Sequence, residues 1–322
     1  LVEDMHWGDD ALLDLLEAGL QDVRGSLLLL GTARPELVRS RPTWGGRGRG
    51  SETLWLEALS SSDAARMLDD LIPAELPARV REVVIQRGEG NPFFVEELVR
   101  TLIDLGVLER RNGGWTAHEL TDELVVPDTV RAVLAARIDL LAPAEKAALQ
   151  AAAVIGRTFW SGPVYELLDG LEPDLRLLEE RDFIRHRSGS SIVGEREFAI
   201  KHALTRDVAY ESLTTMKRSR LHARFAAWLE RVGEGRDEDA ALLAHHYAEA
   251  VRPDNVDLAW PDAGEELARV RERAVSWLRR AADLAVGRDE IEDGLSLLHR
   301  AVEPESDPRT LVEIGGAIAR AS

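Results

Sequence analysis

The spacing of apolar positions divides the chain into four stretches. Leu12, Leu13, Leu15, Leu16 and Leu20 recur at helical spacing over residues 9–22, and Gly25 and Ser26 break the run. On either side of it, Leu1-Val2 and Leu27-Leu28-Leu29-Leu30 read as strands. Four apolar residues between breakers suit a strand buried on both faces. Two strands joined by a helix suggest part of a parallel α/β sheet. Residues 41–51 are rich in glycine and arginine and read as a loop. Their charge could steer an anion, and a solvated connection would look the same.

From residue 53 onward the pattern turns helical. Ser60 with Asp63 resembles a capping box opening a helix to Leu71. A second helix follows Pro77 and ends near Gly88. A third spans residues 92–104, with Pro92 at its start and Gly106 past its end. Residues 107–116, with Asn112-Gly113-Gly114 at the tip, predict a hairpin. In the third stretch Asp128 is expected to cap a helix to Leu141, and Pro143 to start another through Ile155. Short helices at 164–168 and 175–182 precede two apolar runs, 183–185 and 197–200, that flank the polar loop 188–191. Helices followed by a small hairpin are the outline of a winged helix. The fourth stretch predicts amphipathic helices at about 216–232, 238–250, 264–286, 290–302 and 308–320, with loops at 231–239 and 253–262. This suggests a helical solenoid, although the tetratricopeptide Trp/Gly/Tyr positions are not clean.

Composition narrows the classes. A chain of 322 residues, 45% hydrophobic and 30% charged, is globular rather than disordered or collagen-like. Its length suggests two or more domains. No apolar run approaches a membrane span. The absence of cysteine excludes disulfides, cysteine-zinc sites and a cysteine nucleophile. A net charge of −18 repels DNA, RNA and anionic lipid as a whole-molecule field. No signal segment follows Leu1, so the expected location is cytoplasmic, without a membrane partner. The chain opens inside a strand pattern and stops directly after an apolar helical stretch, so it is expected to be a fragment of a longer protein.

Four places could carry chemistry. Glu3 and Asp4 end the first apolar strand, where α/β sheets bind ligands. Carboxylates there suit Mg²⁺ or a polarised water, and equally a helix cap or surface pair. Thr32 and Arg34 end the second strand, which puts a cation beside those acids to meet a terminal phosphate or simply to neutralise them. Gly90-Asn91-Pro92-Phe93-Phe94 is a turn at a helix start that brings backbone and a flat ring near a ligand, and it is also just a good helix start. His202, beside Lys201 at another helix start, is a structural residue or a phosphate contact.

In this order and at these distances, the four resemble the STAND signal-transduction ATPases. These P-loop NTPases include large LuxR-type bacterial regulators and ATPase regions attached to bacterial nucleotide cyclases and kinases. Glu3-Asp4-Met5-His6-Trp7-Gly8-Asp9 is similar to their Walker B motif, and Gly31-Thr32-Ala33-Arg34-Pro35-Glu36 to sensor 1. Gly90-Asn91-Pro92-Phe93-Phe94-Val95-Glu96-Glu97-Leu98 is similar to their Gly-x-Pro motif. Residues 198–210 resemble the winged-helix segment with its nucleotide-sensing histidine.

The resemblance covers residues 1 to about 232. It implies a mostly α chain: the C-terminal part of an α/β P-loop NTPase core (1–56), a helical lid (57–126), a winged-helix domain (127–212) and the start of TPR-like helical repeats (213–322). It implies ATP/ADP and Mg²⁺ as cofactors. Glu3 would help hold Mg²⁺, Asp4 would orient the attacking water, and Arg34 would read the γ-phosphate. Gly90, Asn91 and Pro92 would bind the nucleotide, with Pro92 on adenine, and His202 would contact the phosphate of ADP. A protein or small-molecule effector would act on the helical tail.

One departure limits this reading. A P-loop needs Gly-x-x-x-x-Gly-Lys-Ser/Thr, and none of the three lysines, Lys146, Lys201 and Lys217, follows a glycine. The chain as given is therefore not expected to hydrolyse ATP. The alternative is a non-catalytic helical interaction module with a vestigial NTPase core. DNA contact by the winged helix is not expected, because residues 172–182 carry five acids and two arginines. His222, His245 and His246 lack metal-ligand spacing and read as helix-surface histidines.

Overall fold

Most of the predicted helices are present in the computed structural model, which describes residues 1–22, 25–42, 44, 52–111, 114–118, 127–169, 171, 173–261, 263–304 and 308–321. The loop residues 45–51 and the hairpin tip 112–113 lie outside the described residues. The chain divides into two compact units, Leu1–Ala58 and Leu59–Ser322.

In the first unit, α1 (Asp10–Asp22) lies where the leucine spacing put it, and a short α2 (Pro35–Ser40) follows. The two predicted strands form a single parallel bridge, Val2 to Gly31, rather than a ladder. Val2 N–H donates to Leu30 O at 2.8 Å, and Thr32 N–H to Val2 O at 2.9 Å. Gly31 lets the Met5 side chain pack against the backbone, since a Cβ on it would meet Met5 Sδ at 2.2 Å and displace it. The expectation of a strand buried on both faces fails: Leu28 is 88% exposed, and Leu27 and Leu30 are more than half exposed. A small core of Met5, Leu13 and Leu37 covers none of them. Burial of a parallel strand needs layers on both faces, and one helix does not supply them.

The second unit begins with three helices: α3 (Ser61–Leu71), α4 (Ala78–Gly88) and α5 (Pro92–Asp104). The capping box forms as expected, with Ser60 Oγ accepting from Asp63 N–H at 3.2 Å. The hairpin of β1 (Leu108–Arg111) and β2 (Gly114–Ala117) follows, antiparallel in register Leu108 to Ala117. An apolar cluster of Leu68, Val80, Val84, Val95, Leu98, Leu102 and Leu108 fills this part.

Next come α6 (Val130–Asp139), α7 (Pro143–Ile155), β3 (Thr158–Trp160), α8 (Ser161–Leu167), α9 (Leu175–Glu180), β4 (Ile184–His186), β5 (Glu197–Ile200) and α10 (Ala203–Glu211). Thr129, not Asp128, caps α6, accepting from Ala132 N–H at 3.2 Å; Asp128 pairs instead with Arg87. The sheet has three antiparallel strands in the order β3-β5-β4. Its edge strand β3 was not anticipated, because it is three residues long and α8 begins at the very next residue.

The remainder is helical: α11 (Thr215–Val232), α12 (Ala240–Ala250), α13 (Val256–Ala259), α14 (Gly264–Gly287), α15 (Ile291–Val302) and α16 (Pro308–Ala321). The helix α13 lies inside the predicted loop 253–262, held by Trp260, which is buried with Nε1 donating to Ala250 O at 2.9 Å. Helix packs on successive helix from α14 to α16, as in a helical repeat region. One apolar cluster runs without interruption from Leu134 on α6 to Ile314 on α16. Among the described residues, no helix is long and apolar enough to cross a membrane.

Candidate functional site

In the first unit, the parallel bridge sets the Asp4 and Arg34 segments side by side. Asp4 precedes a 3₁₀ turn, Met5–Trp7, in the left-handed region at φ 55°, a conformation that aspartate tolerates better than most residues. Its N–H donates to Thr32 Oγ1 at 3.2 Å. Arg34 N–H donates to His6 Nδ1 at 3.3 Å, and the Arg34 guanidinium lies 6.0 Å from the Trp7 ring centroid. His6 Nε2 is buried without a hydrogen-bond partner. Glu3 is exposed, as alternation along an extended segment requires of Asp4's neighbour. Asp4, His6, Thr32 and Arg34 are therefore gathered, and Glu3 stands apart.

Among the described residues, no group of three His, Asp or Glu side chains could hold a metal ion. Mg²⁺ commonly takes only one or two protein carboxylates and completes its shell with phosphate and water. The Asp4 end of the bridge is thus not a self-sufficient metal centre.

The other four sequence candidates come together in the second unit. The turn before α5 passes through two left-handed residues, Glu89 at φ 48° and Gly90 at φ 71°. Gly90 O accepts Leu59 N–H at 2.8 Å, which fixes the turn. Asn91 caps α5, its Oδ1 accepting from Phe93 N–H at 3.0 Å and Phe94 N–H at 3.4 Å. The helix start is thus already capped and offers a ligand a surface rather than a cradle of free amides. Pro92 is exposed and Phe93 half-buried.

His202, at the N-cap of α10, meets this surface. Its ring centroid lies 4.2 Å from that of Phe93. His202 Nε2 is buried and has no hydrogen-bond partner. Burial holds the imidazole below its ordinary range; Glu97 and Glu96 oppose the shift, and Lys201 and Arg100 add to it. A neutral imidazole with one unused nitrogen can donate or accept one hydrogen bond from a bound molecule. The sequence reading set Gly90, Asn91, Pro92 and His202 around one nucleotide; the contact of His202 with Phe93 was not anticipated.

Behind this contact lies a chain of charges, buried at its Glu97–Arg137 end, that the sequence reading missed. Glu97 on α5 and Arg137 on α6 are each 1% exposed. Arg137 Nη1 donates to Glu97 Oε2 at 2.5 Å, Nε to Asp104 Oδ2 at 3.0 Å, and Nη2 to Arg181 O at 2.7 Å. Its guanidinium faces the Phe183 ring at 4.5 Å. Glu97 Oε1 takes Arg100 Nη1 at 2.8 Å. Arg100 also pairs with Asp182, and Asp182 pairs with Lys201, the residue before His202. The signal for Arg137 was an arginine within the apolar stripe Val133, Leu134, Ile138, Leu141 of one helix face.

The tail histidines are not where the sequence placed them. His222 and His246 are 2% and 1% exposed, with Nδ1 atoms 2.8 Å apart. Tyr210 Oη lies 3.0 Å from His222 Nε2. Only His245 is at the surface. On α9 the acids are occupied locally: Asp174 pairs with Arg176, and Glu179 Oε1 accepts His186 N–H at 2.9 Å.

No protein-family model and no curated protein matches this chain. A solved structure to which the chain shows a distant similarity is the crystal structure of a Signal Transduction ATPase with Numerous Domains (STAND) protein with a tetratricopeptide repeat sensor, from Pyrococcus horikoshii. It is 15% identical, with a TM-score of 0.40, over 90% of this chain and 41% of that one. The present chain thus spans less than half the length of the protein it is compared with.

Proposed function

We propose that this chain is part of a nucleotide-governed signalling switch of the STAND type, of bacterial origin. In this reading residues 1–56 are the rear of a P-loop core, 57–126 its lid, 127–212 a winged helix and 213–322 a TPR-like sensor tail. ADP or ATP binds at the surface of Pro92, Phe93 and His202, and the bound nucleotide holds the closed form. Within the first unit, Asp4 and Arg34 take the roles of Walker B acid and sensor 1, with Glu3 on Mg²⁺, which would supply charge neutralisation when bound. A protein or small-molecule effector on the tail biases opening, through different affinities of the two forms for nucleotide.

The observation that carries this reading is the buried, unpartnered Nε2 of His202 against Phe93, at the join of two motifs 110 residues apart. A fluorescent ADP analogue titrated against the chain tests it. Wild-type protein should bind, weakly in the absence of a phosphate loop. His202→Ala should bind roughly tenfold or more weakly, the worth of one hydrogen bond to a charged group. Equal binding by both proteins removes His202 from the site. Saturation by neither favours the second reading, a non-catalytic helical interaction module, which the absence of a Gly-x-x-x-x-Gly-Lys-Ser/Thr loop in this sequence supports.

A further inference from the structure

The charges behind His202 form a continuous path through four segments: α6, α5, the turn between α9 and β4, and the residue after β5. Arg137 leaves α6 and divides its donors between two carboxylates of α5 and the carbonyl of Arg181, at the turn between α9 and β4. Glu97 hands the connection to Arg100, Arg100 to Asp182, and Asp182 to Lys201. Lys201 N–H also donates to Phe183 O at 3.0 Å, and the next residue is His202. The first turn of α5 thus reaches His202 by two routes: directly through Phe93, and around the back through the ions.

A buried ion pair is a poor device for stability alone. Desolvation offsets its attraction, and apolar residues of similar volume commonly hold helices as well or better. What it adds is direction. The guanidinium is a flat fork whose donors point along fixed lines, and here its acceptors lie on two elements while a ring covers its face. Such an arrangement fixes the angle between α5 and the module that carries His202, which interchangeable apolar contacts would not.

We propose that Arg137 and Glu97 are positioning residues for the Phe93–His202 site. They set the orientation of the α5 start relative to His202, and Asp182 relays that setting to the α10 end. Ligand affinity at His202 then depends on a pair that touches no ligand. The inference rests on the nucleotide reading for the identity of the ligand and not for the geometry.

The test replaces the pair jointly, Glu97→Met with Arg137→Met, which removes both charges; Arg100 keeps Glu96 and Asp182, while Asp104 gives up its bond to Arg137. The first readout needs no ligand. The Cε1 and Cδ2 protons of His202, assigned by their loss in His202→Ala, carry a ring-current shift from Phe93. In the double variant that shift should collapse toward the free-histidine value while the thermal midpoint stays within a few degrees of wild type. Arg137→Lys, which keeps the charge and loses the fork, should lie between. The second readout is the fluorescent ADP analogue, whose dissociation constant should rise about tenfold in the double variant.

A double variant that folds and keeps the wild-type His202 shift overturns the proposal. If it does not fold, Asp182→Asn decides: this half-exposed position breaks the relay and leaves the α5–α6 pair intact. A displaced His202 signal supports the proposal, and an unmoved one overturns it. If wild-type protein does not bind the analogue, the nucleotide reading fails, and the His202 shift still decides the positioning role.

Discussion

The two buried histidines of the tail show what a single residue can carry. His246 donates to the backbone carbonyl of Ile155. A neutral His246 then accepts at Nδ1 from His222 Nδ1–H, and His222 Nε2 accepts from the Tyr210 hydroxyl. That assignment follows from the hydrogen-bond pattern, and each ring is satisfied only when uncharged. Burial pushes His222 down to about 3 and His246 well below its ordinary range, with His245, Arg206 and Arg218 adding positive charge nearby. The unfolded chain takes up these protons near pH 6.5, whereas the folded chain refuses them. The stability held by the pair is complete above about pH 6.5 and is lost as pH falls toward 3. At pH 5.5 the loss is about 1.4 kcal/mol for His222, and His246 adds to it in the same direction. Urea midpoints at pH 7.5 and 5.5 should show it, and His222→Gln should flatten the difference by about half. An undiminished difference would place the acid sensitivity elsewhere. The sequence held the clue: His222, Phe225, Ala226 and Leu229 share one face at spacings of three and four. Lack of ligand spacing spoke against metal, and it said nothing about burial.

At the scale of elements, legibility followed range. Helix starts are local, and those of α3, α5 and α7 were read correctly from Ser60, Asn91-Pro92 and Pro143. At α6, Asp128 and Thr129 are both capping residues, and only the backbone geometry chose between them. The strand β3 pairs with residues forty positions away, Thr158 with Ala199, and nothing in three residues announces that. The four leucines before Gly31 erred for a related reason, since burial belongs to what surrounds a segment rather than to its composition. The cap at Asn91 carries the stability prediction of this scale. Asn91→Ala leaves the Phe93 and Phe94 amides without their acceptor and should cost about 1 kcal/mol. The urea midpoint should fall with the slope unchanged, while Asn91→Ser should recover most of the loss. A changed slope would mean that the turn does more than cap.

At the scale of the molecule, the two units differ in how well they are covered. The larger holds two extensive apolar clusters, and the smaller leaves Leu1, Leu15, Leu27, Leu28 and Leu30 more than half exposed. Apolar surface of this kind drives association. In sedimentation, the full chain should self-associate as concentration rises, and residues 59–322 alone should remain monomeric with an unchanged melting transition. A monodisperse full chain would remove the smaller unit as the source. The outline of the larger unit was legible from helical periodicity, whereas the contact of Phe93 with His202 was not, since 109 residues separate them. The ion path between them was not, because it joins Glu97, Arg137, Asp182 and Lys201 from four separate elements.

The apolar cluster that runs unbroken from Leu134 to Ile314 has a mechanical consequence. Close-packed interiors are stiff and transmit displacement with little loss. A push at the far end of the tail therefore travels to the α10 end as through a lever arm. It arrives at the directed bonds of Glu97, Arg100, Arg137 and Asp182, which pass on to α5 the orientation of the tail and not merely its pressure.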